Sequence, residues 1–417
     1  MPEALIVTAG GMGDVAPYTG LGVGLREAGF DVAIATHEAF AGAVTGAGLG
    51  FRPLPENPLR LGLPDDGTAG GAAKPGFAAG MKATEERIWE TAEAILAAAR
   101  AGADLLLLNA ATAPLGIHVA EGLGLPSMGV YLAPPGPTRE FPPVYIPGNL
   151  GALGNRAAWR VVDGMADAFL VSKPARRLRA ELGLAPIAPR ALRKRQAGEA
   201  WPIACGFSPA VVPQPADWRP GIEVVGYWWP SAPAGWEPPG ELVDFLAAGP
   251  PPVYVGFGSL GTSTDGDRLA VLVPEALRAA GVRGVVQGAW GEGIAGDDIL
   301  AIGSAPHDWL FPRMAAVVHA AGAGVVAAVL KAGVASVPVP VDLDQPFWGR
   351  RLALLGAGTD PLPFKKLTAE GLAAAVRSAT TDGAYAKVAG DLADRIATED
   401  GTTRTVETAR RLAAGSP

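Results

Sequence analysis

Four short stretches combine residue types that can do chemistry with spacings that could present them. "GGMGDVAP" sets Gly11, Gly13 and Asp14 between an apolar run and a helical pattern. "GFGSL" puts Ser259 directly after another apolar run. "HAAGAG" (319–324) follows a third run and opens a helix with His319, Gly322, Ala323 and Gly324; "DLDQPFWG" presents Asp344 beside Gln345. A glycine turn that opens a helix leaves N–H groups unpaired at the positive end of the helix dipole, and so attracts an anion such as phosphate. Ser259 and its neighbouring amides could meet a phosphate in the same way. A carboxylate next to an amide suits sugar hydroxyls, which both donate and accept.

Each piece has a plainer reading beside the chemical one. Asp14 is either a helix cap or a general base aimed at a bound hydroxyl; position alone favours the cap, and only a second half built for an activated donor favours the base. An unperturbed aspartate titrates at about 3.9, so a useful base here needs partial desolvation. A lone His after a strand is more often packed than ligating, and Asp344 could cap the helix that Pro346 begins. The first turn, taken by itself, also passes for a dinucleotide fingerprint with Glu38 as ribose partner, which would suggest NAD.

The elements that must carry these residues alternate regularly. "ALIVTAG" (4–10) reads as a strand, "DVAPYTGLGVGLREAGF" as a helix ended by Gly29, and "DVAIAT" (31–36) as the next strand, a unit that requires a parallel sheet. A Gly/Pro-rich loop follows from Pro53 to Pro75, then a long helix from Ala78 to Ala101. "DLLLL" and "PSMGVYL" are further strands; a second proline-rich loop spans 134–148, and "NRAAWRVVDGMADAFL" is helical. After the linker "PSAPAGWEPPG" (230–240) the pattern restarts with strands at "PVYVGFGSL", "GVVQG", "ILAIG", "AAVVH" and "ASVPVPV". The expectation is an α/β protein of two doubly wound, Rossmann-like domains, residues 1–229 and 241–417, facing across a cleft.

Composition bounds the rest. The 417 residues are 49% hydrophobic and 18% charged, with 57 glycines and 39 prolines, which suits a compact chain rich in turns. A net charge of −7 argues against nucleic acid. The basic stretches Arg176–Arg179 and Arg190–Arg195 read as solvated faces in preference to a membrane contact. Cys205, the one cysteine, excludes an internal disulfide and reads as a packing residue. No metal cluster is visible in the spacing, and the amino terminus lacks the charged region and cleavage site of a signal peptide, so the expectation is a cytoplasmic enzyme. Nothing in the sequence speaks to oligomeric state.

From "PPVYVGFGSL" through "APHDWLFPRMAAVVHAAGAG" to "VDLDQPFWGRRLALLGAG" the second half resembles the nucleotide-sugar glycosyltransferases of the GT-B fold, in the bacterial sterol and antibiotic (macrolide, glycopeptide) group. The first half agrees through "GGMGDVAPYTGLGVGLREAGFDVAIATHEAF", "PTREFPP" and "GFSPAVVPQPADW", so the likeness covers nearly the whole chain. The resemblance implies Asp14 as general base. It implies Gly13, Ser259, His319, Gly322, Ala323 and Gly324 at the donor diphosphate, with Asp344 and Gln345 on the donor sugar. It implies Ser304 and Ala305 of "GSAPH" at the nucleobase, where some plant relatives carry a stacking Trp; Trp290 is a substitute platform or core. The group's pattern is His-His-Gly-Gly-Ala-Gly-Thr-Thr, and this chain has His319-Ala320-Ala321-Gly322-Ala323-Gly324-Val325-Val326, lacking the second histidine and the first threonine.

The resulting expectation is an inverting transferase that moves a sugar from a UDP- or dTDP-sugar, as cosubstrate and without a bound cofactor, to a hydroxyl of a hydrophobic natural product. The loops at 53–75 and 134–148 would supply acceptor walls, with Phe141 and Tyr145. The alternative is a glycosyltransferase-like protein that has lost donor use and binds or rearranges a biosynthetic intermediate.

Overall fold

The protein was analysed as a computed structural model that describes residues 1–55, 77–146, 148–167, 172–230, 235–258, 265–291, 294 and 296–415; side chains at 77–83 and 289 fall outside the description. The loop expected at 53–75 and Ser259 therefore lie largely or wholly outside the described residues.

Two parallel sheets form the frame. The first holds β1 (Glu3–Val7), β2 (Asp31–His37), β3 (Gly50–Leu54), β4 (Leu105–Leu108), β5 (Ser127–Tyr131), β6 (Ile203–Cys205) and β7 (Ile222–Val224). Its order is β3-β2-β1-β4-β5-β6-β7. The second holds β8 (Val253–Gly256), β9 (Gly284–Gln287), β10 (Ile299–Ile302), β11 (Ala316–His319) and β12 (Ala335–Pro338), in the order β10-β9-β8-β11-β12. Central strands are apolar throughout because helices cover both faces. Ala4, Ile6, Leu105 and Leu107 enter one core, while Leu5, Val7, Leu106 and Leu108 enter another on the opposite face. The same alternation divides Val253 and Val255 from Tyr254 across the second sheet.

Strand order reverses between β1 and β4 in one sheet and between β8 and β11 in the other. Connections leave in opposite directions at such a point, so a crevice opens beyond the carboxyl ends of those strands. The turns after β1 and β11 are the ones that carry Asp14 and the "HAAGAG" stretch.

The sheets are joined by a shared core. Phe207, Val211 and Val224 pack with Val326, Leu330, Trp348, Leu392 and Ile396, and Cys205 is buried among them, its thiol pushed well up by burial. Phe207 meets Trp348 edge-on at 5.8 Å, and Arg351 donates to the Val211 carbonyl. The last helix, Gly401–Ala413, returns to the first sheet: Val406 and Ala409 pack with Ala4, Val15 and Trp228, whose indole N–H donates to Thr405 Oγ1 at 3.0 Å.

Much of the basic stretch is internally paired. Arg179 and Arg195 both clamp Glu121, Arg193 clamps Asp167, and Arg177 lies 3.7 Å over the Trp89 ring. Among the described residues no helix is long and apolar enough to cross a membrane.

Candidate active site between two glycine turns

The helix Met12–Glu27 begins with Gly11 as its cap, so Asp14 is the third helical residue and not the cap itself. Its Oδ2 accepts the Gly11 N–H at 2.8 Å, closing the turn from inside. Gly10 has φ 149°, and a Cβ there would lie 2.3 Å from Asp14 Oδ2; only glycine fits against the carboxylate. Asp14 is open to the cleft on one side while protein crowds it on the others. That crowding raises its carboxyl to about 6, the Gly11 N–H opposes the rise, and the Asp344 charge adds to it.

Beneath Asp14 runs a buried polar brace. Thr8 Oγ1 donates to the Asp14 carbonyl at 2.8 Å, and Asn109 Nδ2 donates to Thr8 Oγ1 at 3.0 Å and to the Ala9 carbonyl at 3.1 Å. Asn109 Oδ1 in turn accepts the Thr112 N–H at 2.9 Å. The turns after β1 and β4 are thus laced together across the switch point. The sequence reading passed over Thr8 and Asn109; the available signal was an asparagine ending an all-leucine strand.

The turn after β11 is built differently. His319 was expected at the donor diphosphate, but its side chain is 0% exposed and faces inward. Nδ1 accepts the Ala321 N–H at 3.0 Å, and Nε2 lies 3.3 Å from Ser336 Oγ. Burial lowers the ring to about 3, with His307 adding to the effect, so it is neutral. Its work is to brace Ala321, a non-glycine residue at φ 60°. Ala320 packs into the core that holds Val318 and Phe257.

From there Gly322 caps the helix Ala323–Ala332. Residues 322–325 keep partial exposure, and the N–H groups of Ala323, Gly324 and Val325 are the first of the helix, without acceptors inside it. A Cβ on Gly324 would sit 3.8 Å from the Gly13 carbonyl. The first turns of the two helices therefore lie in van der Waals range of each other.

Asp344 caps the helix Gln345–Leu355 by position, yet its side chain does not close the cap. Instead its Oδ2 accepts the Trp348 indole N–H at 2.8 Å, and Trp348 is fixed in the inter-sheet core. Burial raises the Asp344 carboxyl, and the Trp348 bond opposes it. Gln345 Oε1 accepts the Val341 and Asp342 N–H groups at 2.8 and 3.3 Å, which pins the loop and leaves the NH₂ end as its donor.

Around this centre the other expected residues divide. Tyr145 is 59% exposed. Its phenol is raised by crowding and then by the charges of Asp344 and Asp14. Phe141 is wedged edge-on between Phe347 at 5.4 Å and Trp218 at 6.5 Å, so it joins the two halves more than it lines an open wall. Ser304 is exposed, whereas Ala305 is buried with Tyr254 and Leu310. Trp290 is core, buried against Phe257 at 6.1 Å. Glu38 is an exposed residue of a short 3₁₀ turn. No group of three or more potential metal ligands occurs among the described residues.

Comparison with known proteins bears on this geometry directly. Residues 4–142 match the glycosyltransferase family 28 N-terminal domain, and residues 293–412 match the erythromycin biosynthesis protein CIII-like C-terminal domain. Over 406 residues the chain is 36% identical to O-mycaminosyltylonolide 6-deoxyallosyltransferase of Streptomyces fradiae, covering 95% of this chain and 94% of that one. The chain belongs to this family of glycosyltransferases. The glycosyltransferase is also 31% identical over 424 residues to a sterol 3-beta-glucosyltransferase of Arabidopsis thaliana, covering 97% of this chain and 64% of that longer protein. Among solved structures, the Streptomyces sp. SF2575 glycosyltransferase SsfS6, complexed with thymidine diphosphate, matches with a TM-score of 0.65 at 22% identity, over 99% of this chain and all of that one. The two facing parallel-sheet domains of the glycosyltransferase are the GT-B arrangement.

Proposed function

We propose that this glycosyltransferase transfers a sugar from a UDP- or dTDP-sugar to a hydroxyl of a hydrophobic natural product, with inversion at the anomeric carbon. One observation carries the reading: the first turns of the helices that follow β1 and β11 come within van der Waals range, and Asp14, in the first of them, feels the charge of Asp344. The N–H groups of Ala323, Gly324 and Val325 would hold the diphosphate, and the dipole would favour its growing charge as it leaves. Asp344 and the Gln345 amide would hold hydroxyls of the sugar. Residues 1–229 would take the acceptor, under Tyr145, and residues 241–417 the donor.

In the reaction the acceptor oxygen attacks the anomeric carbon as the bond from that carbon to the diphosphate oxygen breaks. Asp14 takes the hydroxyl proton. A carboxyl raised to about 6 is still mostly ionised at neutral pH, yet is a stronger base than a free aspartate. A single displacement needs no second nucleophile, so the product has the opposite configuration at that carbon. The similarity to an O-mycaminosyltylonolide 6-deoxyallosyltransferase and to a sterol 3-beta-glucosyltransferase supports a hydrophobic acceptor.

Loss of two polar side chains from "HAAGAGVV" is the observation in favour of a protein that no longer uses a donor. Against it, the amides of that turn remain partly exposed and do not depend on those side chains. Thermal melts with UDP, dTDP and their glucose conjugates separate the two readings. The proposal expects a rise in Tm with at least one diphosphate, and indifference to all four would overturn it.

A further inference from the structure

β1 bonds to β2 through alternate amides, as parallel strands do, and the Thr8 N–H donates to the Ala35 carbonyl at 3.0 Å. Gly10 carries the next amide on that edge, but there the chain has already curled into the turn. Its N–H is taken instead by a side chain: Gly10 N lies 3.2 Å from Nε2 of His37, the last residue of β2. The other ring nitrogen, Nδ1, lies 2.6 Å from the Pro55 carbonyl oxygen, just past the end of β3. A carbonyl only accepts, so Nδ1 carries the proton and Nε2 offers its lone pair to Gly10. His37 is 7% exposed and is held on both edges of its ring.

What the imidazole holds is the seat of the carboxylate. The Asp14 carboxylate lies directly against the Gly10 Cα, and the next amide, Gly11 N–H, is the one that binds Asp14 Oδ2. Thr8 and Asn109 fix the turn from the β4 side; His37 is its counterpart from the β2 side. We propose that His37 is a positioning residue for sugar transfer, its Nε2 holding the Gly10 peptide so that Asp14 faces the acceptor hydroxyl. This rests on the reading of Asp14 as the base. The residue was passed over in the sequence because its neighbour Glu38 fits a ribose-binding pattern, while the work of His37 depends on β2 lying beside β1.

Two substitutions separate positioning from bulk. His37→Phe keeps the ring volume and removes the acceptor, whereas His37→Gln can return an acceptor oxygen near the place of Nε2. Hydrogen–deuterium exchange of the peptide spanning residues 8–14 reads the turn without any assay of activity. Transfer is followed with UDP-glucose and dTDP-glucose against cholesterol and a macrolide aglycone. Faster exchange in that peptide alone is expected for His37→Phe, with kcat down about 10- to 100-fold and the donor KM within about twofold; His37→Gln should recover most of both. Unchanged exchange in His37→Phe, or His37→Gln as impaired as His37→Phe, would overturn the proposal. Retained turnover in Asp14→Asn would instead remove the base reading, and the exchange comparison would still decide whether His37 holds the turn.

Discussion

The turn after β1 is tied down by polar side chains, whereas the turn after β11 rests on its own backbone and on apolar packing. Around Asp14, hydrogen bonds donated by Thr8 and Asn109 and one accepted by His37 fix the chain on either side of the carboxylate. Around Gly322, the one polar brace is the buried His319, and Ala320 goes into the core. The difference fits the roles proposed for the two turns. A base would work through one oxygen whose placement decides the rate, so a firmly braced seat suits it. An anion cradle would work through several amides whose directions come with the helix and need no polar side chains.

Removing the carboxylate should produce the largest effect. Asp14→Asn should lower kcat by about 10²- to 10⁴-fold while the melting temperature and nucleotide affinity stay near wild type. Gly10→Ala attacks the seat instead of the base: with φ 149° and a Cβ 2.3 Å from the carboxylate, it should cost about 1–3 kcal/mol of stability in denaturant melts and sharply reduce kcat. If that variant is as active as wild type, the first turn is not over-determined and the contrast fails.

Acidity should affect the first turn before the second. Transfer needs ionised Asp14, and its carboxyl is raised to about 6. The pH profile of kcat/KM should therefore bend near pH 6 and fall about tenfold per unit below it. A bend near pH 4 would mean that the cleft does not desolvate the group in solution. His319, held neutral to about 3, stays neutral through that bend, so nucleotide affinity should not follow the same profile.

The smallest change is expected from giving the second turn a side chain back. Val325 is partly exposed at the third position of its helix, and Val325→Thr should tighten dTDP or UDP about tenfold by calorimetry, the worth of one hydrogen bond to a charged group. Restoring a histidine at Ala320 carries a packing cost that Val325→Thr avoids, because Ala320 is only 8% exposed.

Much of this was legible in the sequence wherever a local pattern fixes the outcome. Short apolar runs marked β1, β2, β4, β5 and β8 to β12, and the helix expected from Ala78 to Ala101 runs from Phe77 to Arg100. β3 carries Pro53 at a sheet edge, while β6 and β7 have three residues each, too short for any periodicity to register. Asp14 and Asp344 were legible because they stand at strand ends in turn chemistry. His319 turns inward where the sequence suggested the donor side, because the direction of a side chain after a strand depends on what packs behind it, here Ser336 of the adjacent β12. Asn109, marked only by its place after an all-leucine strand, and His37 are related cases: each acts on a turn about 100 or 27 residues away, through a strand order that no local pattern states.

The most direct test of the account is a crystal structure of the protein with dTDP or UDP, solved alongside the Val325→Thr variant. The account predicts diphosphate oxygens within hydrogen-bonding distance of the Ala323, Gly324 and Val325 amides, with the His319 ring still turned inward. A diphosphate bound elsewhere, or held by His319 with those amides unengaged, would contradict it.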